Sequence, residues 1–318
     1  MWLFSLFGMK GDLQLGLSEL NKISSKSAYH LEVQYFKALI LINIQNKKKA
    51  SLDLLEKLLK NNVDNLILNY LMSTTLMKFG ESEQALSKLS KLQYHSKNYL
   101  FLNTINYKLG EIYLQKQNYQ IARNYYALFL NNYQGKDLIK DAWFKVFLTY
   151  WLSGDKNMSD VHFTKAKNSG RTFSSADKNA NGILNQGSYP NSKLMRLRLA
   201  TDGGYFLIAQ GIADNLTENS FESKKDKTEY YYRKGRLLHK TKKYDEAIFY
   251  YLNTIKKSGS EHWYFAPNAC LQTGYIYENN KEIEKAKFYF EKVISYKKHK
   301  YKSSIDREAK AALDELGN

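Results

Sequence analysis

The chain has 318 residues, 43% of them hydrophobic, with a formal net charge of +17 and a single cysteine. The lone Cys270 excludes an internal disulfide framework and a cysteine-based zinc site, which leaves it as a core thiol. The positive charge raises the class of nucleic-acid or anionic-membrane binders. However, only seven of the 48 basic residues are arginine and the lysines are spread along the chain, so a specific nucleic-acid surface is not expected.

From the N-terminus, Met1 to Met9 is too short for a signal segment or a spanning helix, and no later run reaches about 18 apolar residues. As written, the chain is expected to be soluble and cytoplasmic. Gly11-Asp12 and Gly16 fall where a second helix should begin. Either residues 1–26 form a half repeat or the natural N-terminus lies upstream; Trp2, Phe4 and Phe7 would then lack a covering partner. Only Pro190 and Pro267 interrupt the chain, so long helices are permitted almost everywhere.

Apolar periodicity then predicts helix pairs at 27–45 with 48–60, 63–79 with 81–93, 98–116 with 118–132, and 137–153 with 156–168. In the third pair Leu109-Gly110 leads through Tyr113 to Tyr119, Ala122 and Tyr126. The fourth keeps the aromatic spacing in Trp143, Phe147, Tyr150 and Phe163, with Gly154 where a left-handed turn residue is wanted. Residues 169–190, rich in Ser, Asn and Gly, read as an inserted loop.

Three further pairs follow at 191–201 with 203–216, 228–241 with 244–257, and 264–279 with 282–296, and Ser304 to Leu316 reads as a capping helix. The clearest copies are Gly235, Leu238, Tyr244, Ala247, Tyr251 and Gly274, Tyr277, Ile283, Ala286, Phe290. Stepping back from Ala247, the alanine position recurs at Ala209, Ser159, Ala122, Ala85, Ala50 and Gly16. The period stays close to about 34 residues except across the insertion. A glycine in a helix costs roughly 1 kcal/mol, so its recurrence implies that another backbone passes there.

This glycine, alanine and aromatic skeleton resembles the tetratricopeptide repeat. Phe7-Gly8-Met9-Lys10-Gly11-Asp12, Asp202-Gly203-Gly204-Tyr205, Tyr230 to Arg236, Ala266-Pro267 and Phe288-Tyr289-Phe290 are further similar to its inclusion body clearance branch and bacterial relatives. The resemblance implies a single right-handed all-α solenoid over residues 1–318: a half repeat at 1–26, four hairpins in 27–168, a loop at 169–190, three hairpins in 191–302 and a cap at 303–318. It also implies a scaffold or adaptor, not an enzyme, that binds a protein or peptide, with no cofactor. The alternative is a basic electrostatic binder.

Chemical motifs are sparse. The six histidines show no metal-ligand spacing. Asp177-Lys178-Asn179-Ala180-Asn181-Gly182 imitates the first half of a calcium loop, but Ser188 stands where the bidentate glutamate is required. In the resembled arrays the first helices line a concave groove, which makes Tyr70, Tyr107, Glu111, Phe144, Trp151, Arg198, Tyr232, Arg233, Arg236, His239 and Lys240 the groove candidates. Tyr232 and Arg236 replace the Lys and Asn of the carboxylate clamp, which counts against that mode. An acidic or phosphorylated segment with an apolar anchor is the expected ligand of the C-terminal half.

Overall fold

The computed structural model describes residues 13–95 and 103–317, and all its regular elements in that range are helical. Met1 to Met9, expected as the end of a first helix, lie outside the described residues. The α-helices are α1 (Leu13–Lys22), α2 (His30–Asn43), α3 (Lys48–Asn61), α4 (Leu66–Lys78), α5 (Ser82–His95), α6 (Thr104–Gln115), α7 (Tyr119–Asn132), α8 (Ile139–Ser153) and α9 (Lys156–Asn168). They continue as α10 (Ser175–Leu184), α11 (Ser192–Gly203), α12 (Phe206–Asp214), α13 (Lys224–Lys240), α14 (Tyr244–Ser258), α15 (Phe265–Asn279), α16 (Ile283–Ser295) and α17 (Lys302–Leu316). Among the described residues no helix is long and apolar enough to cross a membrane.

The chain divides into two compact units, 1–72 and 73–318. In the first, α2 packs on α3 and on α1. Here the repeat register shifts: Ala50 is exposed and Ser51 takes the fully buried position, its hydroxyl donating to the Lys48 carbonyl at 2.8 Å. Gly16 is also exposed, and a Cβ there would meet nothing within 4 Å, so it is not a packing glycine.

In the second unit α6 with α7, α8 with α9, α11 with α12, α13 with α14, and α15 with α16 form antiparallel hairpins that stack in chain order, an all-α helical-repeat solenoid. The recurrent glycine has a sharper role than an approaching backbone. A Cβ on Gly110, Gly235 or Gly274 would lie 2.8 Å from the Tyr126 ring, 2.8 Å from the Tyr251 ring and 2.5 Å from the Phe290 ring, respectively. In each of these three hairpins the second helix seats a fully buried aromatic on a bare stretch of the first. Large aromatic area is thereby buried without forcing the helices apart. Ala85, Ala122, Ser159, Ala209, Ala247 and Ala286 are all completely buried, as the small-residue register requires.

Residues 169–190 are not a loop throughout. Ser174 caps α10 by accepting from the Asp177 amide at 3.0 Å, while its hydroxyl donates to the Asp177 carboxylate at 2.6 Å. The same carboxylate, fully buried, accepts the Leu138 and Asp141 amides at 2.8 and 3.1 Å and so caps the start of α8 as well. The residue that opened the calcium-like motif is therefore a double helix cap.

The turns of separate hairpins also meet. Gly80 and Gly204 both have positive φ, and a Cβ on Gly204 would sit 1.8 Å from the Gly80 carbonyl oxygen. Ser82 donates to Gln115 at 2.8 Å beside them. Only glycine combines that left-handed geometry with so close a backbone approach.

Candidate peptide-binding cleft

A cleft of about 780 Å³ opens in the second unit where the first helices α11, α13, α15 and α17 begin. One wall is Trp151 and Tyr189, whose rings meet edge to face at 5.1 Å, with the Trp151 indole donating to the Pro190 carbonyl at 3.0 Å. Trp263, Tyr264 and Tyr301 also line the cleft; the last two meet edge to face, at 5.2 Å. Aromatic walls offer large contact area with few rotatable bonds to immobilise. Several helix N-termini bias the opening toward negative charge.

The side chains strengthen that bias. Five cations line the cleft, Lys193, Arg198, Lys225, Arg233 and Lys300, against two carboxylates, Asp226 and Glu229. Glu229 is consumed by Arg233, which donates to it through Nε at 2.9 Å and Nη2 at 2.6 Å. A further Nη2 contact at 2.7 Å reaches the Tyr264 hydroxyl. Asp226 accepts from Asn191 at 3.3 Å. Lys300 is held below the usual lysine range by burial and by the neighbouring charges of Arg198 and Lys225.

Of the residues expected in a groove, Trp151, Arg198 and Arg233 line this cleft. The others are placed differently. Tyr107, Phe144 and Tyr232 are 2%, 5% and 3% exposed and belong to the core, because each ring fills space between stacked hairpins. Arg233 is also buried, in its ion pair with Glu229. Glu111 accepts from Lys108 at 2.6 Å and also pairs with Lys145, which donates to the Tyr107 hydroxyl at 2.7 Å. That network joins α6 to α8. Arg236 donates to Gln272 at 2.7 Å, bridging α13 and α15.

His239 is not a cation. Burial, followed by the charges of Arg236 and Lys240, pushes its imidazole down to about 3, and it packs edge to face on Tyr244 and Tyr251. Lys240 reaches the Phe79 carbonyl at 3.5 Å. Tyr70 is half-buried and belongs to the other compact unit.

Tyr189, Lys225, Trp263, Tyr264, Lys300 and Tyr301 line the cleft but were not among the expected residues. Most sit in or beside connectors, outside the helical core pattern. One signal was available: Tyr264 and Tyr301 each stand immediately before the first helix of a successive repeat. No cluster of metal-ligating side chains occurs among the described residues.

No curated protein matches the chain. Among solved structures, a tetratricopeptide repeat protein from Parabacteroides merdae is 17% identical, with 89% of this chain and 98% of that chain covered and a TM-score of 0.38. A Rap protein complexed with Competence and Sporulation Factor is 15% identical, with 91% and 80% covered and a TM-score of 0.34. The family model described as tetratricopeptide repeat matches residues 228–255 and 267–300. Those segments hold the glycine and ring pairs Gly235–Tyr251 and Gly274–Phe290, so the tetratricopeptide match falls on the two hairpins in which this packing is clearest.

Proposed function

We propose that this chain is a non-catalytic protein-interaction scaffold that takes an acidic peptide segment, with an aromatic or aliphatic anchor, in the cleft lined by Trp151 and Trp263. Stacked helical repeats supply extended binding surfaces as a class. The observation that carries the reading is the pairing of aromatic walls with an excess of cations in one recess. An anchor side chain would bury apolar area against the rings, and carboxylates beside it would meet the lysines and Arg198. Arg233 holds the wall in place through Glu229 and Tyr264.

The test is fluorescence anisotropy with labelled peptides: a Glu-rich peptide containing one Phe, the same peptide with Lys for Glu, and one with Ser for Phe. The acidic Phe peptide should bind best at 150 mM salt, and Trp263→Ala should weaken it about tenfold, which corresponds to about 1.4 kcal/mol. Equal affinity for acidic and basic peptides would refute the reading. So would an unchanged affinity in Trp263→Ala. Double-stranded DNA, run in parallel, should lose its binding steeply as salt rises; DNA binding that exceeds peptide binding at 150 mM salt would favour the electrostatic alternative.

A further inference from the structure

Within that reading, we propose that Arg198, Lys225 and Lys300 form a subsite for a phosphomonoester group on the bound peptide, in preference to a single carboxylate. The three cations come from separate elements: the middle of α11, the first turn of α13 and the connector before α17. They meet only in the folded molecule, around one cleft.

Their charge is largely unbalanced. Lys225 donates to the neutral Gln186 at 3.3 Å, and Lys300 lies 5.1 Å from the centre of the Tyr301 ring. Among the described residues neither has a carboxylate partner. Arg198 meets one carboxylate, Asp202, with Nε 3.5 Å from the nearer oxygen, a long contact between two partly exposed side chains. The carboxylates that do line the cleft are engaged by Arg233 and Asn191. Lys300 is held below the usual lysine range first by burial and then by the charges of Arg198 and Lys225.

A folded protein retains such a cluster at a cost, and a ligand of matching charge relieves it. A carboxylate brings one negative charge and two oxygens. A phosphomonoester brings a charge of about −1.5 to −2 at neutral pH and three strong acceptor oxygens, enough for one arginine fork and two ammonium groups together. Trp151, Trp263 and Tyr264 beside the cluster offer the apolar contact that a peptide carrier would use.

The probes are three labelled peptides of the same sequence around one Phe, carrying phosphoserine, glutamate or serine at a single position. The full chain should bind the phosphoserine form at least tenfold more tightly than the glutamate form, with inorganic phosphate competing at fixed ionic strength. Lys225→Gln and Lys300→Gln should each bring that ratio close to one. A ratio that survives both substitutions overturns the subsite, as does equal binding of the phosphoserine and glutamate forms. Vesicles containing a phosphoinositide form the contrasting arm; capture by vesicles with no phosphopeptide preference would also overturn it. If no peptide binds but inorganic phosphate raises the Tm in a Lys300-dependent way, the peptide reading fails and the phosphate site stands. Absence of both effects refutes both.

Discussion

Replacing Gly274 by alanine tests the packing rule on which the repeats are built. Alanine is the better helix former by about 1 kcal/mol, so at an open site the change should stabilise. At Gly274 the new Cβ would face three atoms of the Phe290 ring at 2.5, 2.7 and 2.9 Å. Carbon atoms prefer separations of about 3.5–4.0 Å, so the ring or the helix must yield by about 1 Å. Phe290 is completely buried and has little room to move. Overpacking of this kind costs about 1–3 kcal/mol. With the ring locked, the upper part of that range applies, and after the helix gain a net loss of about 2 kcal/mol remains. For a unit of this size that lowers Tm by about 4–8 °C. Gly211 in α12 supplies the control, because a Cβ there meets nothing within 4 Å; Gly211→Ala should raise Tm by about 2–4 °C. Differential scanning calorimetry reads both, and combining Gly274→Ala with Phe290→Leu should cost less than the two single changes summed. A Gly274→Ala protein as stable as the parent would refute the ring-on-glycine explanation.

Two further expectations concern charge. Glu111 is half-buried, which disfavours its ionised form, but Lys108 and Lys145 outweigh this and hold it at about 2, below its ordinary 4.5. Its stabilisation, up to about 3 kcal/mol, is therefore complete above about pH 4.5 and is lost as pH falls from 4.5 toward 2. Glu111→Gln should flatten the fall in urea midpoint between pH 4.5 and 3; an unchanged acid profile would show that the Lys108 and Lys145 pairing is not what holds the carboxylate. His239, pushed from 6.5 to about 3 by burial and then by Arg236 and Lys240, is neutral in the fold. It favours the folded state fully above about pH 6.5 and progressively less as pH drops toward 3. Its imidazole signals in NMR should not shift between pH 8 and 5, and a midpoint near 6.5 would contradict the buried placement.

The sequence by itself determined the helical hairpins. Gly235, Ala247 and Tyr251, repeated as Gly274, Ala286 and Phe290, record contacts inside one hairpin, and such contacts recur at a fixed spacing because each repeat packs mainly on its neighbours. The same local rule explains the errors. The Asp177 motif could not reveal its role because its partners, the Leu138 and Asp141 amides, belong to another helix. Tyr107, Phe144 and Tyr232 fall on the helix face expected to be concave, yet the stacking of successive hairpins buries them. Tertiary structure alone decided the cleft. Tyr189, Trp263, Lys300 and Tyr301 sit in connectors, where no periodicity marks orientation, and Arg198, Lys225 and Lys300 converge only after α11, α13, α15 and α17 have packed. A repeat pattern fixes the distance from one unit to the next. Which side chains then share a recess depends on how several units curve together, and that is a property of packing and not of spacing.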